Sequence, residues 1–223
     1  LTVDGYAELA IGLPKANSLS ASGKFGVVRV YSTEVTSANS RLIATVDGAQ
    51  LPATAAGAPR KGDLFGSSVA TVDDMDGDGI GELLIGAPGF DPVKGGKRVN
   101  NAGAAFVVSS SMLQVGTTQA DVLASYYGEA KKDQFGWAVA NGGPLQVGGE
   151  VYHFIAAKGV DVIIANPKNG KPMKANDAGA LYAYKAGAAE RSFKRTGNAK
   201  KGYYGNVLLT VGDVDKDGYT DVI

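Results

Sequence analysis

The 223-residue sequence contains no cysteine and a single histidine, His153. Without cysteine the chain has no disulfide bonds, zinc–thiolate sites or cysteine nucleophiles. One histidine argues against a multi-histidine metal site and a histidine-based catalytic triad. The 22 lysines and arginines balance 22 aspartates and glutamates, so no net positive charge attracts nucleic acid. No apolar run reaches the roughly 18 residues of a membrane span, so we expect neither a nucleic-acid partner nor membrane insertion.

Glycine is abundant, at 32 of 223 residues. This share is about twice the usual value of roughly 7%, and it follows no collagen period. Glycine at this density is typical of many tight turns between short strands. No segment sustains an apolar period of 3.6 residues, so the sequence predicts an all-β fold.

Three sequence markers recur in the same order along the chain. Phe65-Gly66 returns as Phe135-Gly136, 70 residues later, and more weakly as Tyr204-Gly205. We align the segment Ile85-Gly86-Ala87-Pro88 with residues 11–14 and 164–167. Apolar runs that open with glycine begin at residues 26, 103 and 179. Ordered markers at one spacing indicate an internal repeat of about 70 residues.

Each repeat contains four short apolar runs bounded by glycine, aspartate, asparagine or proline. In the best-defined repeat the predicted strands cover 65–72, 82–87, 103–110 and 120–127. Four-stranded antiparallel units in radial repetition predict a β-propeller, with a β-sandwich as the alternative. The predicted units cover 1–64, 65–134, 135–203 and the start of a further blade, 204–223. About three blades are present, so we expect a longer parent chain or, less favoured, ring closure by association of copies.

An acidic pattern occurs twice, at 74–82 and 213–221. Carboxylates occupy positions 1, 3, 5 and 9, and glycine at position 6 allows a sharp turn. The backbone carbonyl at position 7 adds a further oxygen. An all-oxygen, strongly anionic set suits Ca²⁺ better than zinc or copper. The predicted ligands are Asp74, Asp76, Asp78, Ile80, Glu82, Asp213, Asp215, Asp217, Tyr219 and Asp221.

Ordinary hairpin turns also contain Asp-Gly, but four carboxylates in the same place of two repeats favour metal binding. We expect such an ion to hold a hairpin in shape and not to act on a substrate. The first repeat retains Asp4 and Glu8, and we make no prediction of calcium binding there. The repeat at 135–167 replaces the acidic loop with 141–149, and no calcium is predicted there.

Phe65-Gly66, the aspartate pattern at 74–79 and Ile85-Gly86-Ala87-Pro88 together resemble an FG-GAP repeat. In integrin α-subunits this repeat builds a seven-bladed propeller, and it also occurs in a phospholipase D and in secreted bacterial proteins. The resemblance implies a larger ring, calcium in the strand 1–2 loops, and an extracellular, cell-surface or periplasmic setting. It does not imply integrin ligand binding, because a fold does not fix a function.

The repeat assigns the loops to two rims. We number the four strands of each repeat 1 to 4. The 1–2 and 3–4 connections lie on one rim, the acidic rim. The 2–3 connections, and the 4–1 connections to the next repeat, lie on the other, the basic rim, which carries most of the basic residues. A basic face attracts anionic partners, although lysine-rich loops are also commonly just solvated. The candidate partner-binding residues are Lys94, Lys97, Arg98, Lys131, Lys132, Lys200 and Lys201.

These features predict a calcium-stabilised, non-catalytic adhesion or recognition module with a protein or glycan ligand. The sequence shows no acid–base pair or nucleophile constellation that would make this segment an enzyme. Two alternatives stay open: an accessory propeller of a secreted enzyme such as a phospholipase, and a carbohydrate-binding lectin.

Overall fold

The computed structural model describes residues 8–32, 42–113, 121–145, 150–166, 168–216 and 220–223. Over these residues the regular structure is almost entirely antiparallel strand. The helices described are single 3-10 turns at Gly48–Gln50 and Ser110–Leu113. No helix in the described part of the chain is long and apolar enough to cross a membrane. The predicted all-β class is confirmed.

The strands form successive meanders, in which chain order is also sheet order. The first sheet contains β1 (Glu8–Leu13), β2 (Val27–Ser32) and β3 (Leu42–Asp47). In the second, β4 (Ser68–Thr71) and β5 (Leu83–Ala87) are followed by a separate two-stranded hairpin of β6 (Val93–Lys94) and β7 (Lys97–Arg98), and then by β8 (Ala104–Val108) and β9 (Val122–Tyr127), which complete the four-stranded sheet. In the third, β10 (Phe135–Leu145) and β11 (Glu150–Ala157) are likewise followed by a separate hairpin of β12 (Val162–Ala165) and β13 (Pro172–Ala175), and then by β14 (Ala180–Lys185) and β15 (Arg191–Thr196), which complete the sheet. A final hairpin joins β16 (Thr210–Gly212) to β17 (Asp221–Val222).

The second sheet is buried on both of its faces. Successive side chains of a strand point to opposite faces. Ile85 therefore packs with Val28 of the first sheet, while Leu84 packs with Ile155 of the third. Every residue of β5 and β8 is buried, which explains why both strands read as continuous apolar runs. Burial of each such large apolar side chain contributes about 1.5–3 kcal/mol, so these two interfaces hold the sheets together.

Neighbouring sheets approach most closely where the second strand of one sheet meets the Phe-Gly marker of the next. A Cβ added at Gly86 would lie 2.0 Å from the carbonyl oxygen of Gly136. A Cβ at Gly12 would likewise lie 2.0 Å from the Gly66 oxygen. Glycine is required at both positions because any side chain would collide with backbone.

The same contact corrects the alignment of the third repeat. Gly205 is packed against Ala156 of β11, so Ala156 is the counterpart of Gly86. Our alignment of 85–88 with 164–167 is wrong, because Ile164 and Ala165 lie in β12 of an outlying hairpin. The counterpart of β5 is β11, in which Ile155 lies 70 residues after Ile85. Both segments carry an Ile-x-Ala pattern, but strand pairing and the 70-residue spacing identify Ile155 as the counterpart of Ile85.

The connections between strands are held together by backbone hydrogen bonds. The amide of Lys132, before β10, donates to the Asn100 carbonyl of the β5–β8 connection at 3.0 Å. The equivalent bond joins Lys201 to Asn176 at 2.8 Å. The 2–3 and 4–1 connections therefore share a rim, as the repeat predicts. Stacked antiparallel sheets of this kind are consistent with a β-propeller-like fold.

Candidate metal centre

The first acidic loop is the turn of the β4–β5 hairpin. Val72 and Glu82 exchange two backbone hydrogen bonds of 2.9 and 3.1 Å that close its base. Above them, the two carboxylate oxygens of Asp74 accept the amides of Gly77 and Gly79 at 2.7 and 2.8 Å. Both glycines have left-handed backbone, with φ of 83° and 86°, which glycine adopts without steric cost. The backbone thus wraps around the Asp74 carboxylate.

This turn gathers four carboxylates. Asp74, Asp76, Asp78 and Glu82 each offer one oxygen, and all four oxygens lie within 4.8 Å of one another. Calcium binds oxygens at about 2.3–2.6 Å, so two ligands on opposite sides of the ion are about 5 Å apart. The acidic group therefore has the spacing that a bound metal ion needs. Ile80 lies in the same loop, where its amide donates to Asp78 at 2.8 Å.

Glu82 is the buried member of this group. Its side chain is fully buried, and one carboxylate oxygen, Oε2, accepts the Met75 amide at 2.7 Å. The other oxygen, Oε1, is buried without a hydrogen-bond partner. Burial, together with the charges of Asp76, Asp74 and Asp78, raises the pKa of Glu82 to about 7. The Oε1 oxygen is buried without a donor and lies next to three further carboxylates. A bound cation would compensate the negative charge there.

Asp74 has the opposite electrostatic environment. It is exposed, and the amides of Gly79 and Gly77 lower the pKa of its carboxyl group. Asp74 therefore stays ionised at neutral pH, whereas Glu82 is poised near its titration point. The loop combines an ionised, backbone-held carboxylate with a buried one whose charge needs compensation.

The second acidic loop, between β16 and β17, has a matching arrangement. Asp213, Asp215 and Asp221 bring one oxygen each to within 4.8 Å of the others. Asp221 Oδ2 accepts the Val214 amide at 2.8 Å, as Glu82 accepts that of Met75. The carboxylate at position 9 thus closes the loop onto the amide at position 2 in both cases. The other predicted ligands, Asp217 and Tyr219, lie outside the described residues.

The remaining repeats provide no comparable group within the described residues. In the first repeat Asp4 lies outside those residues, while Glu8 begins β1. In the third repeat β10 continues through Asn141 to Leu145, and 146–149 lie outside the described part. The absence of calcium from the third repeat stays a prediction, and none is made for the first repeat.

Sequence reasoning missed two serines beside the first acidic loop. Ser109 and Ser110 follow β8 and are buried. Ser109 Oγ lies 2.6 Å from Asp76 Oδ2, and Ser110 Oγ lies 3.4 Å from Asp78 Oδ2. The sequence did contain a signal, a run of three serines directly after an apolar strand. The 3–4 connection therefore meets the 1–2 loop on the acidic rim.

A second missed feature is a buried aspartate two residues before each Phe-Gly marker. Asp63 accepts the Arg60 amide at 2.6 Å, and Asp133 accepts the Ala130 amide at 2.8 Å. Burial raises the pKa of Asp63 to about 7 and also raises the pKa of Asp133. The recurrence of Asp-x-Phe-Gly at 63–66 and 133–136 was the available signal. These aspartates close turns on the basic rim, away from the metal loops.

The candidate partner-binding residues differ in their surroundings. Lys94 donates to the Glu129 carbonyl at 3.2 Å, and Arg98 donates to the Asp91 carbonyl at 3.0 Å. The first of these bonds brings the β6–β7 hairpin next to the connection that carries Lys131 and Lys132. Lys97 and Lys131 are exposed there. Lys200 and Lys201 lie in the next 4–1 connection, against Asn176.

Residues 65–108 match the family model described as FG-GAP repeat. This chain carries an FG-GAP repeat. The matched segment runs from Phe65 to the end of β8 and so includes the whole first acidic loop. The chain is also similar to integrin alpha-4 of Xenopus laevis, with 29% identity over 177 residues. That alignment covers 75% of this chain and 15% of the relative, so the chain spans about 15% of that protein's length.

Both comparisons confirm the resemblance to the integrin α-like FG-GAP family. Within the FG-GAP repeat, Phe65 and Ile85 are core residues of the sheet interface, while the aspartates between them form the loop. The family match at 65–108 does not extend to the second acidic loop, so the resemblance at 204–223 stays a prediction.

Proposed function

We propose that this chain is a calcium-stabilised, non-catalytic adhesion or recognition module of a cell-surface or secreted protein. The observation that carries the calcium assignment is the buried, partnerless Oε1 of Glu82 beside three aspartates. The similarity to integrin alpha-4 supports an extracellular, adhesion-type role. The FG-GAP match supports a module without catalysis of its own.

Calcium fits this donor set better than zinc or copper does. All four side-chain ligands of the first loop are carboxylate oxygens, which suit a hard cation and not a thiophilic metal. Asp74, Asp76, Asp78 and Glu82 hold the ion, with the Ile80 carbonyl as a further ligand. In the second loop the ligands are Asp213, Asp215 and Asp221, with Asp217 and the Tyr219 carbonyl. Bound calcium would offset two of the four negative charges in each cluster and hold its hairpin in shape.

We also propose that the stacked sheets are blades of a β-propeller. The units are 1–64, 65–134, 135–203 and 204–223. Support comes from the repeated contacts of the Phe-Gly marker, which join Gly12 to Gly66 and Gly86 to Gly136. The final hairpin β16–β17 supplies the first two strands of a further unit.

Calorimetric titration of the metal-free protein tests the calcium assignment. We expect about two calcium ions per chain, one for each acidic loop. The reason is that the carboxylates at positions 1, 3 and 9 converge in both loops. A titration that detects no calcium binding would refute the assignment.

The basic rim is the face that we propose for partner binding. Its exposed lysines sit on connections that are fixed by backbone hydrogen bonds, and loops on a rigid scaffold commonly carry binding residues. An acidic protein surface is the ligand class that such a rim fits. The glycan-binding and enzyme-accessory alternatives stay predictions.

Charge reversal of Lys97 and Lys131 should weaken this interaction selectively. Both side chains are exposed, whereas Lys94 and Arg98 bind backbone carbonyls and their loss would disturb the loops. With immobilised poly-glutamate as the probe, we expect the double Lys→Glu variant to associate about tenfold more slowly at low salt. Biolayer interferometry at two salt concentrations measures the effect, which should shrink as salt is added.

The control is Lys216→Glu, which makes a single reversal within the second acidic loop, on the other rim. It should leave association with poly-glutamate nearly unchanged. Equal effects of the rim variant and the control, or no effect of either, would reject the basic face and leave these lysines as solvated loop residues.

A further inference from the structure

Ser109 occupies an unusual place beside the first acidic loop. It follows β8, so it belongs to a different connection from the loop itself, and its side chain is fully buried. The Ser109 amide donates to the Asp121 carbonyl at 3.0 Å, which anchors its backbone to the start of the next strand. A buried hydroxyl on anchored backbone has little freedom to turn elsewhere.

The direction of the Ser109–Asp76 hydrogen bond follows from the groups around it. Oγ of Ser109 is 2.6 Å from Asp76 Oδ2, the length of a charge-assisted O–H···O⁻ bond. An ionised carboxylate only accepts, so the Ser109 hydroxyl donates its one proton to Asp76. Ser109 Oγ in turn accepts the Ser111 amide at 3.2 Å and faces the Ser111 hydroxyl at 2.8 Å. Ser111 and Ser109 therefore form a short chain of hydrogen bonds that ends at Asp76.

We propose that Ser109 is a positioning residue for the metal site, which holds the Asp76 carboxylate in place for the ion. This inference rests on the proposed calcium binding. Asp76 is exposed in a loop where Asp74, Asp78 and Glu82 repel it, and its Oδ1 accepts the Asp78 amide of the same loop at 3.2 Å. Without Ser109, Oδ2 would lose its donor and the carboxylate could turn toward solvent. The Ser109 hydroxyl fixes one carboxylate oxygen from the protein side, and it couples the 3–4 connection to the metal loop.

Calcium titration of Ser109→Ala tests the proposal. All measurements use an Asp215→Ala background, which disables the second loop so that the heat reports the first one. We expect Ser109→Ala to raise the calcium dissociation constant about tenfold, the low end of the loss typical for groups that orient metal ligands. The melting temperature in EDTA, measured alongside, reports any general loss of packing.

Ser110→Ala is the matched control. Ser110 is also buried and loses the same atom, but its hydroxyl is 3.4 Å from Asp78 and forms at most a weak bond. It should change the dissociation constant less than about twofold. The proposal is overturned if Ser109→Ala binds calcium like its parent, or if both variants weaken binding equally. If the parent itself binds no calcium, the proposed function fails and the Ser109 inference fails with it.

Discussion

Replacing Glu82 with glutamine should abolish most calcium binding at the first loop without harming the metal-free fold. Glutamine keeps the shape and an acceptor for the Met75 amide, but it removes the buried charge next to three aspartates. Loss of a carboxylate ligand should raise the calcium dissociation constant at least about 100-fold. At a calcium concentration about 100 times the wild-type dissociation constant, this weaker binding lowers the free energy of unfolding by about 2 kcal/mol. The melting temperature then falls by about 4–8 °C. Calorimetry and thermal melting measure the two effects.

In EDTA the same variant should melt at the wild-type temperature or above it, because the buried charge is destabilising without an ion. The pH dependence gives a second measurement. The pKa of Glu82 is raised to about 7 from an ordinary 4.5. At pH values between these two, native Glu82 keeps a proton that it loses in the unfolded state. Stability of the metal-free wild type should therefore fall as pH rises through this window. Glu82→Gln should show a smaller fall.

Asp63→Asn is the matched control for Glu82→Gln. Asp63 is also a buried carboxylate whose pKa is raised to about 7, but it closes a turn on the opposite rim. Its replacement should leave the calcium affinity of the first loop unchanged. Equal losses of calcium affinity in the two variants would mean that Glu82 acts through general packing and is not a ligand.

Calcium removal should have the largest effect on stability. A ligand that binds only the native state adds about 2.7 kcal/mol at 100 times its dissociation constant, so two such sites add about 5 kcal/mol. For a chain of this length, that corresponds to a fall of about 10–20 °C in melting temperature on addition of EDTA. Differential scanning calorimetry with and without EDTA measures the shift, and restored calcium should reverse it.

Magnesium is the comparison for this experiment. It prefers a smaller octahedral shell and retains several of its waters, so the same concentration should restore much less of the melting temperature. A melting curve that is identical with calcium and with EDTA would mean that both acidic loops are ordinary hairpin turns.

Local patterns in the sequence predicted their structures well. The Phe-Gly markers at 65–66 and 135–136 lie at equivalent contacts, and the carboxylates of 74–82 converge as their spacing predicts. Such a loop is closed by residues that are near one another in the chain, through bonds such as that from the Gly79 amide to Asp74. Its backbone turn therefore depends mainly on its own residues.

Alignment of the third repeat failed where the information was not local. Residues 164–167 match the marker of 85–88 about as well as 155–158 do, and both segments begin within strands, β12 and β11. What separates them is partner choice, since β11 pairs with β10 and β14 whereas β12 pairs only with β13. Pairing is set by contacts outside the four-residue segment, so the composition of the segment itself does not encode it.

The sequence by itself determined the all-β class, the repeat and the carboxylates that could bind an ion, because turn chemistry and ligand spacing act between near neighbours in the chain. Only the tertiary structure decided that Glu82 keeps a buried oxygen without a partner and that Ser109 donates to Asp76. Both features arise from packing, in which neighbouring strands and connections exclude water from one atom and bring a donor from 33 residues away to another.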